Sequence, residues 1–151
     1  MFNVRAVVDV FLFSAFLILL MQSFKDIKTQ KIDSRRNWVM QGELLGFVLL
    51  GLGNFIVYFI VVFATAFFNS MVLRKFWGEG DKEIFQWLLP GLFLFAGPLM
   101  AAFFLLCFAF FSGFSFFTRR LVFKEGADSK RAGVPLIFAA FIMVVALVYF
   151  I

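Results

Sequence analysis

Histidine is absent from the 151 residues, and cysteine occurs once, as Cys107. The first absence excludes Ser-His and Cys-His catalysis, rhomboid-type chemistry included, and any His-ligated zinc site. The second excludes an intrachain disulfide and a CxxC metal pair. Cys107 itself, between Leu106 and Phe108, reads as a small buried apolar residue. Charge is scarce too, at 15% of residues, where a soluble domain carries roughly 25%. Apolar residues fill the space: they make up 64% of the chain, with 27 phenylalanines, against roughly 45–50% in soluble domains. A domain of this size buries only about two thirds of the surface its unfolded chain exposes, so the excess must face something other than water. Long charge-free runs make that lipid. A soluble enzyme, a disordered chain and a disulfide-stapled secreted domain are excluded, and residues 1–151 read as one integral membrane domain. The net charge of +5 reads as membrane topology, with no nucleic-acid partner expected.

Apolar runs cover residues 4–22, 38–73, 83–118 and 133–151. The first reads as a retained helix and not a cleaved signal, because no A-x-A-like site follows it. It also contains the acidic Asp9, spaced to pair with Arg5. The two long runs are 36 residues each, which is about 54 Å of helix against a hydrocarbon core about 30 Å thick. Each carries turn-type residues near its middle, Gly51-Leu52-Gly53-Asn54 and Gly97-Pro98, and each therefore predicts a helical hairpin. The expected fold is all-α: a polytopic membrane protein with six transmembrane helices at approximately 4–22, 38–52, 55–73, 83–97, 99–118 and 133–151. Within the second, Gly42 and Gly46 form a GxxxG that permits close helix approach. Glu43 between them is either an intramembrane functional acid or one that snorkels to the interface, the latter preferred.

Charge placement tests the count independently. With six spans the loops at 23–37, 74–82 and 119–132 share one side and hold every one of the 14 basic residues except Arg5. By the positive-inside rule that side is the cytoplasm and both termini lie outside. Four spans would put Arg74, Lys75 and Lys82 on the opposite side from the rest.

Few polar groups remain as candidates for chemistry. Asp26 lies at the cytoplasmic end of the first span, in Lys25-Asp26-Ile27-Lys28-Thr29-Gln30-Lys31-Ile32, and Asp81 just before the fourth, in Gly78-Glu79-Gly80-Asp81-Lys82. Taken singly, a loop aspartate among lysines is a solvated counter-charge, and Gly-x-Gly before a helix is a tight turn with an Asp N-cap. Taken together, two aspartates on different helices reach one membrane face at matching depth. Glu79 and Glu83 read either as helix N-terminal acids or as attractors of a basic peptide. Gly78 and Gly80 give either the turn alone or a loop against which an extended substrate pairs through its main chain.

With these motifs the chain resembles the GxGD aspartyl proteases of the type IV prepilin peptidase group, most of all the small archaeal preflagellin and prepilin peptidases. Their first aspartate stands in D-[IL]-x-x-x-x-[IV], which Asp26, Ile27 and Ile32 fit, and their second is the D of GxGD, matched by Gly78, Gly80 and Asp81. Val134-Pro135-Leu136 resembles a proline motif at the start of their last span. Two departures are visible. No proline follows Ile32, and the lysine that relatives place two residues after the second aspartate stands one residue after it, as Lys82. The resemblance implies an aspartic endopeptidase with catalytic Asp26 and Asp81 and substrate contacts at Gly78, Glu79, Gly80 and Pro135. It needs no metal and no cofactor. Its partners are membrane lipid and a pilin- or archaellin-like precursor, whose basic leader it cuts at the cytoplasmic face. Two other classes remain open: a non-catalytic scaffold or inactive homologue in a pilus-like machine, and a small transporter. An absence of acids at mid-depth of any span speaks against the transporter.

Overall fold

Long runs of apolar side chains leave the backbone one economical way to satisfy its own polar groups, the α-helix. The computed structural model describes residues 4–29, 32–71, 79–118, 120–121 and 133–150, and every regular element among them is helical. These are α1 (Val4–Thr29), α2 (Ser34–Leu49), α3 (Phe55–Met71), α4 (Glu79–Gly91), α5 (Pro98–Thr118) and α6 (Val134–Phe150), with a π-helical turn at Leu92–Ala96 prolonging α4. Gly78 lies outside the described residues, as do Lys31, Arg74, Lys75, Arg119, Lys124, Lys130 and Arg131 from the three basic loops.

Both interruptions of the long apolar runs have a chemical cause. After α2 the chain turns at Gly51, whose φ of +76° suits glycine. Asn54 Oδ1 then accepts from the N–H groups of Ile56 (3.0 Å) and Val57 (3.2 Å) and caps α3. After α4, Pro90 offers no N–H to the preceding turn, the helix loosens into its π turn, and Gly97 at φ +94° ends it before Pro98 opens α5.

Two helix bounds differ from the sequence expectation. α1 runs to Thr29, seven residues past 22, because 23–29 holds no glycine or proline and Lys28 suits a helix C-terminus. α4 begins at Glu79 and not at 83, so Gly80 and Asp81 lie inside its first turn.

α4 is the central element. Ile84, Phe85, Trp87, Leu88 and Leu92 are fully buried, the all-round burial of a core helix. α3 and α2 pack against α4, α1 packs along α6, and α6 packs along α5. Beneath the π turn, Gly91 lies so close to the Phe11 ring that a Cβ there would overlap it. Gly91→Ala is therefore expected to destabilise the bundle by about 1–3 kcal/mol, read as a lower midpoint of thermal unfolding in detergent, and Phe11→Leu in the same chain should recover most of it.

The outside of the bundle is apolar. On α5, Leu106 is 70% exposed and Leu99, Phe110, Phe114 and Phe117 are exposed with it, while Cys107 is half-buried. α1 and α5 are long and apolar enough to cross a membrane, and α3 and α6 are apolar but shorter. An apolar surface of this extent associates with membrane. Gly42 and Gly46 form no close helix contact among the described residues, since a Cβ at either would meet nothing within 4 Å.

Candidate active site

Asp26 and Asp81 come from opposite halves of the chain, yet both reach the start of α6. In the last turns of α1, Ser23 and Asp26 face inward with Leu19, so Asp26 is only 4% exposed despite lysines on either side in sequence. Its Oδ2 accepts from the backbone N–H of Val134 at 3.1 Å. The first N–H groups of a helix have no partner within the helix, and here one of them finds a carboxylate on α1.

Asp81 is 5% exposed. Its carboxyl lies directly over Gly133: a Cβ on that glycine would stand 2.5 Å from Oδ2, 2.6 Å from Cγ and 2.6 Å from Oδ1 of Asp81. Gly133 and Val134 are consecutive, so one stretch of backbone touches both carboxyl groups. Asn69 on α3 steadies the Asp81 side by donating from Nδ2 to the Lys82 carbonyl at 3.1 Å.

A buried polar cluster lies beside the pair. Gln22 Nε2 (2.8 Å) and Trp87 Nε1 (3.1 Å) both donate to Asn37 Oδ1, and Asn37 Nδ2 donates to Glu83 Oε2 at 3.0 Å. Glu83 Oε1 also accepts from Ser34 Oγ at 3.2 Å. Glu83 therefore occupies the position two after the second aspartate, as a carboxylate held by α2 where the resembled peptidases carry a lysine. Asp33 caps α2 by accepting from the Arg35 N–H at 3.2 Å, and it pairs with Lys25 (3.5 Å) and Arg36 (3.8 Å). Desolvation works to raise the pKa of Asp33, but Lys25, the Arg35 N–H and Arg36 outweigh it and hold it below the ordinary carboxylate range. Above that range the cap is fully formed, and it is lost only when the pH falls through the lowered value.

The other expected site residues fall as follows. Gly78 is outside the described residues, and Glu79 and Gly80 open α4. Gly80 does not have the positive φ expected of a substrate-pairing loop; among the described glycines only Gly51 and Gly97 do. Pro135 stands in the first turn of α6, where its missing N–H costs nothing. Glu43 is partly buried, with one carboxylate oxygen enclosed and its side chain facing Ser14, about halfway along α1.

Gly133, Asn37 and Asn69 carry no motif that singles them out in the sequence. Among the described residues no three Cys, Asp or Glu side chains gather as a metal-ligand set. No protein-family model matches the chain, and no curated protein or solved structure does either.

Proposed function

We propose that the chain is a membrane-embedded aspartic endopeptidase that removes the short basic leader of prepilin- or prearchaellin-like precursors at the cytoplasmic membrane face. The observation that carries it is the convergence of Asp26 and Asp81 on Gly133–Val134, both almost fully buried. Two adjacent carboxyl groups cannot both ionise comfortably, so they share one proton. The ionised member takes a proton from water as the water attacks the scissile carbonyl, while the protonated member hydrogen-bonds the carbonyl oxygen. The proton then passes to the leaving amine. Such a pair titrates as a unit.

The proposal includes six spans, with both termini outside and the loops joining α1 to α2, α3 to α4 and α5 to α6 in the cytoplasm. A precursor whose apolar helix lies in the bilayer and whose basic leader stays in the cytoplasm presents its scissile bond near the inner interface. That is the end of the bundle where Asp26 and Asp81 stand. Glu79, Gly80 and Pro135 adjoin the pair in sequence or across it, and Gly78 precedes them; these are the proposed substrate contacts. Incubating membranes that contain the protein with a precursor of this kind should release the leader and leave the mature subunit. Failure with every such precursor would sink the proposal. Single-cysteine labelling in whole cells tests the topology: a thiol at Ser34 should be shielded from an impermeant maleimide, and one at Asn54 labelled.

Glu43 facing Ser14 in mid-bundle favours a second reading, an ion path. Under the peptidase reading Glu43→Gln leaves cleavage unchanged, whereas under the transporter reading it abolishes a flux measured in proteoliposomes.

A further inference from the structure

Asp26 and Asp81 belong to helices that are joined chiefly through others: α1 packs on α6 and α2, and α4 on α2 and α3. On the α2 side, one buried side chain bonds to α1 and α4 directly. Asn37 is 1% exposed, and its three hydrogen bonds go to three residues on the two aspartate-bearing helices. Gln22, on α1, stands one helical turn before Asp26 and on the same buried face. Glu83 and Trp87, on α4, follow Asp81 by two and six residues.

The orientation of each amide is dictated. An indole N–H can only donate and a carboxylate can only accept. The Asn37 oxygen must therefore face Trp87 and its nitrogen must face Glu83. Gln22 then has to present its nitrogen to Asn37 Oδ1, which leaves its own oxygen to accept from the Asp33 N–H at 3.2 Å. Every bond fixes the next, from the turn before α2 to the start of α4. A hydrogen-bonded network with a buried hub holds its elements in one arrangement, and removing the hub leaves buried groups without partners.

We propose that Asn37 is the positioning residue of the site: it sets the spacing of α1 from α4, and so of Asp26 from Asp81, without touching the reacting atoms. The proposal rests on the peptidase reading for its kinetic consequence but not for its geometric one.

The test uses the full-length chain in membranes with three variants: Asn37→Leu, Asn37→Asp, and Asn37→Asp combined with Glu83→Gln. Asn37→Leu removes all three bonds at similar volume. Asn37→Asp keeps both acceptor bonds but sets two carboxylates against each other. The double variant restores the third bond with donor and acceptor exchanged, at the same net charge as the wild type. Cleavage by either single variant should fall about 100-fold in kcat, the scale of an ångström-sized misplacement, with KM little changed. The double variant should return most of the rate, a recovery that a purely volume-filling role does not predict.

A second readout needs no catalysis. With Cys107→Ser, Asp26→Cys and Asp81→Cys in one chain, the shortest bifunctional thiol reagent should join the two new cysteines. The yield should drop with Asn37→Asp and recover in the double variant. A cross-linking yield indifferent to Asn37→Asp, or a double variant no better than the single, overturns the positioning role. Normal cross-linking behaviour in a chain that cleaves no precursor overturns the peptidase reading and leaves the positioning role standing.

Discussion

Asp26→Asn and Asp81→Asn should each abolish precursor cleavage while leaving the bundle at least as stable as the wild type. Loss of one general acid–base group lowers a rate by about 10²–10⁴-fold. In a shared-proton pair either change removes both functions, because asparagine can neither take the proton nor give it up. The effect therefore belongs at the upper end, below the detection limit of a gel assay. Stability should move the other way. Two nearly buried carboxyl groups are costly to fold, and an amide of the same shape relieves that cost while still accepting from Val134 at position 26. A midpoint of thermal unfolding that holds or rises as activity vanishes is the signature of a functional pair and not of a structural one. Asp9→Asn is the matched control: Asp9 accepts from Tyr149 Oη at 2.6 Å on exposed surface, far along α1 from the pair. Cleavage by either single variant at the wild-type rate would falsify the catalytic assignment.

Gly133→Ala should be nearly as damaging, with no charge altered. Three Asp81 atoms lie where the new methyl group would go, at 2.5–2.6 Å, well inside van der Waals contact. An aspartate carboxyl sits on a short arm and has little room to swing away, so either Asp81 turns off Gly133 or α6 retreats. A retreat stretches the 3.1 Å bond from the Val134 N–H to Asp26. Overpacking of this kind costs about 1–3 kcal/mol of stability, and displacing one reactive group by an ångström costs about 100-fold in rate. The expected result is a folded protein with kcat reduced about 100-fold or more. Full activity in Gly133→Ala would mean that the active arrangement is not the one in which Asp81 lies over Gly133.

What could be foreseen from sequence followed from how strongly each feature is marked. Gly97-Pro98 and Gly51 through Asn54 announce helix ends because glycine, proline and asparagine act on their own backbone, whatever surrounds them. The aspartates stand out because a carboxylate in so apolar a chain needs a reason. Gly80 misled, because Gly-x-Gly suggests a loop, whereas packing of α4 at the centre of the bundle draws it into a helix against its low propensity. The neighbour of Glu43 was not legible either: flanking glycines and nearby cations suggest an interface, and only the fold places it opposite Ser14. Gly133 could not be foreseen at all. Its value lies in what it leaves out, and that space is defined by a side chain from α4, 52 positions earlier in the sequence. Asn37 is hidden for a related reason: in Arg35-Arg36-Asn37-Trp38 it looks like one more polar loop residue, and only the fold turns it inward to Gln22 and Trp87.

The bond from Val134 to Asp26 joins residues 108 positions apart, and that separation is also an interval of time. Chains emerge from the ribosome at about 5–20 residues per second, so Asp26 is made about 5–20 s before the backbone that receives it. During that interval the first five helices can pack while the carboxylate on α1 waits without the backbone N–H of Val134. Under the proposed peptidase function the site is complete only once the last helix is in place, so a nascent or truncated chain should leave precursors uncut.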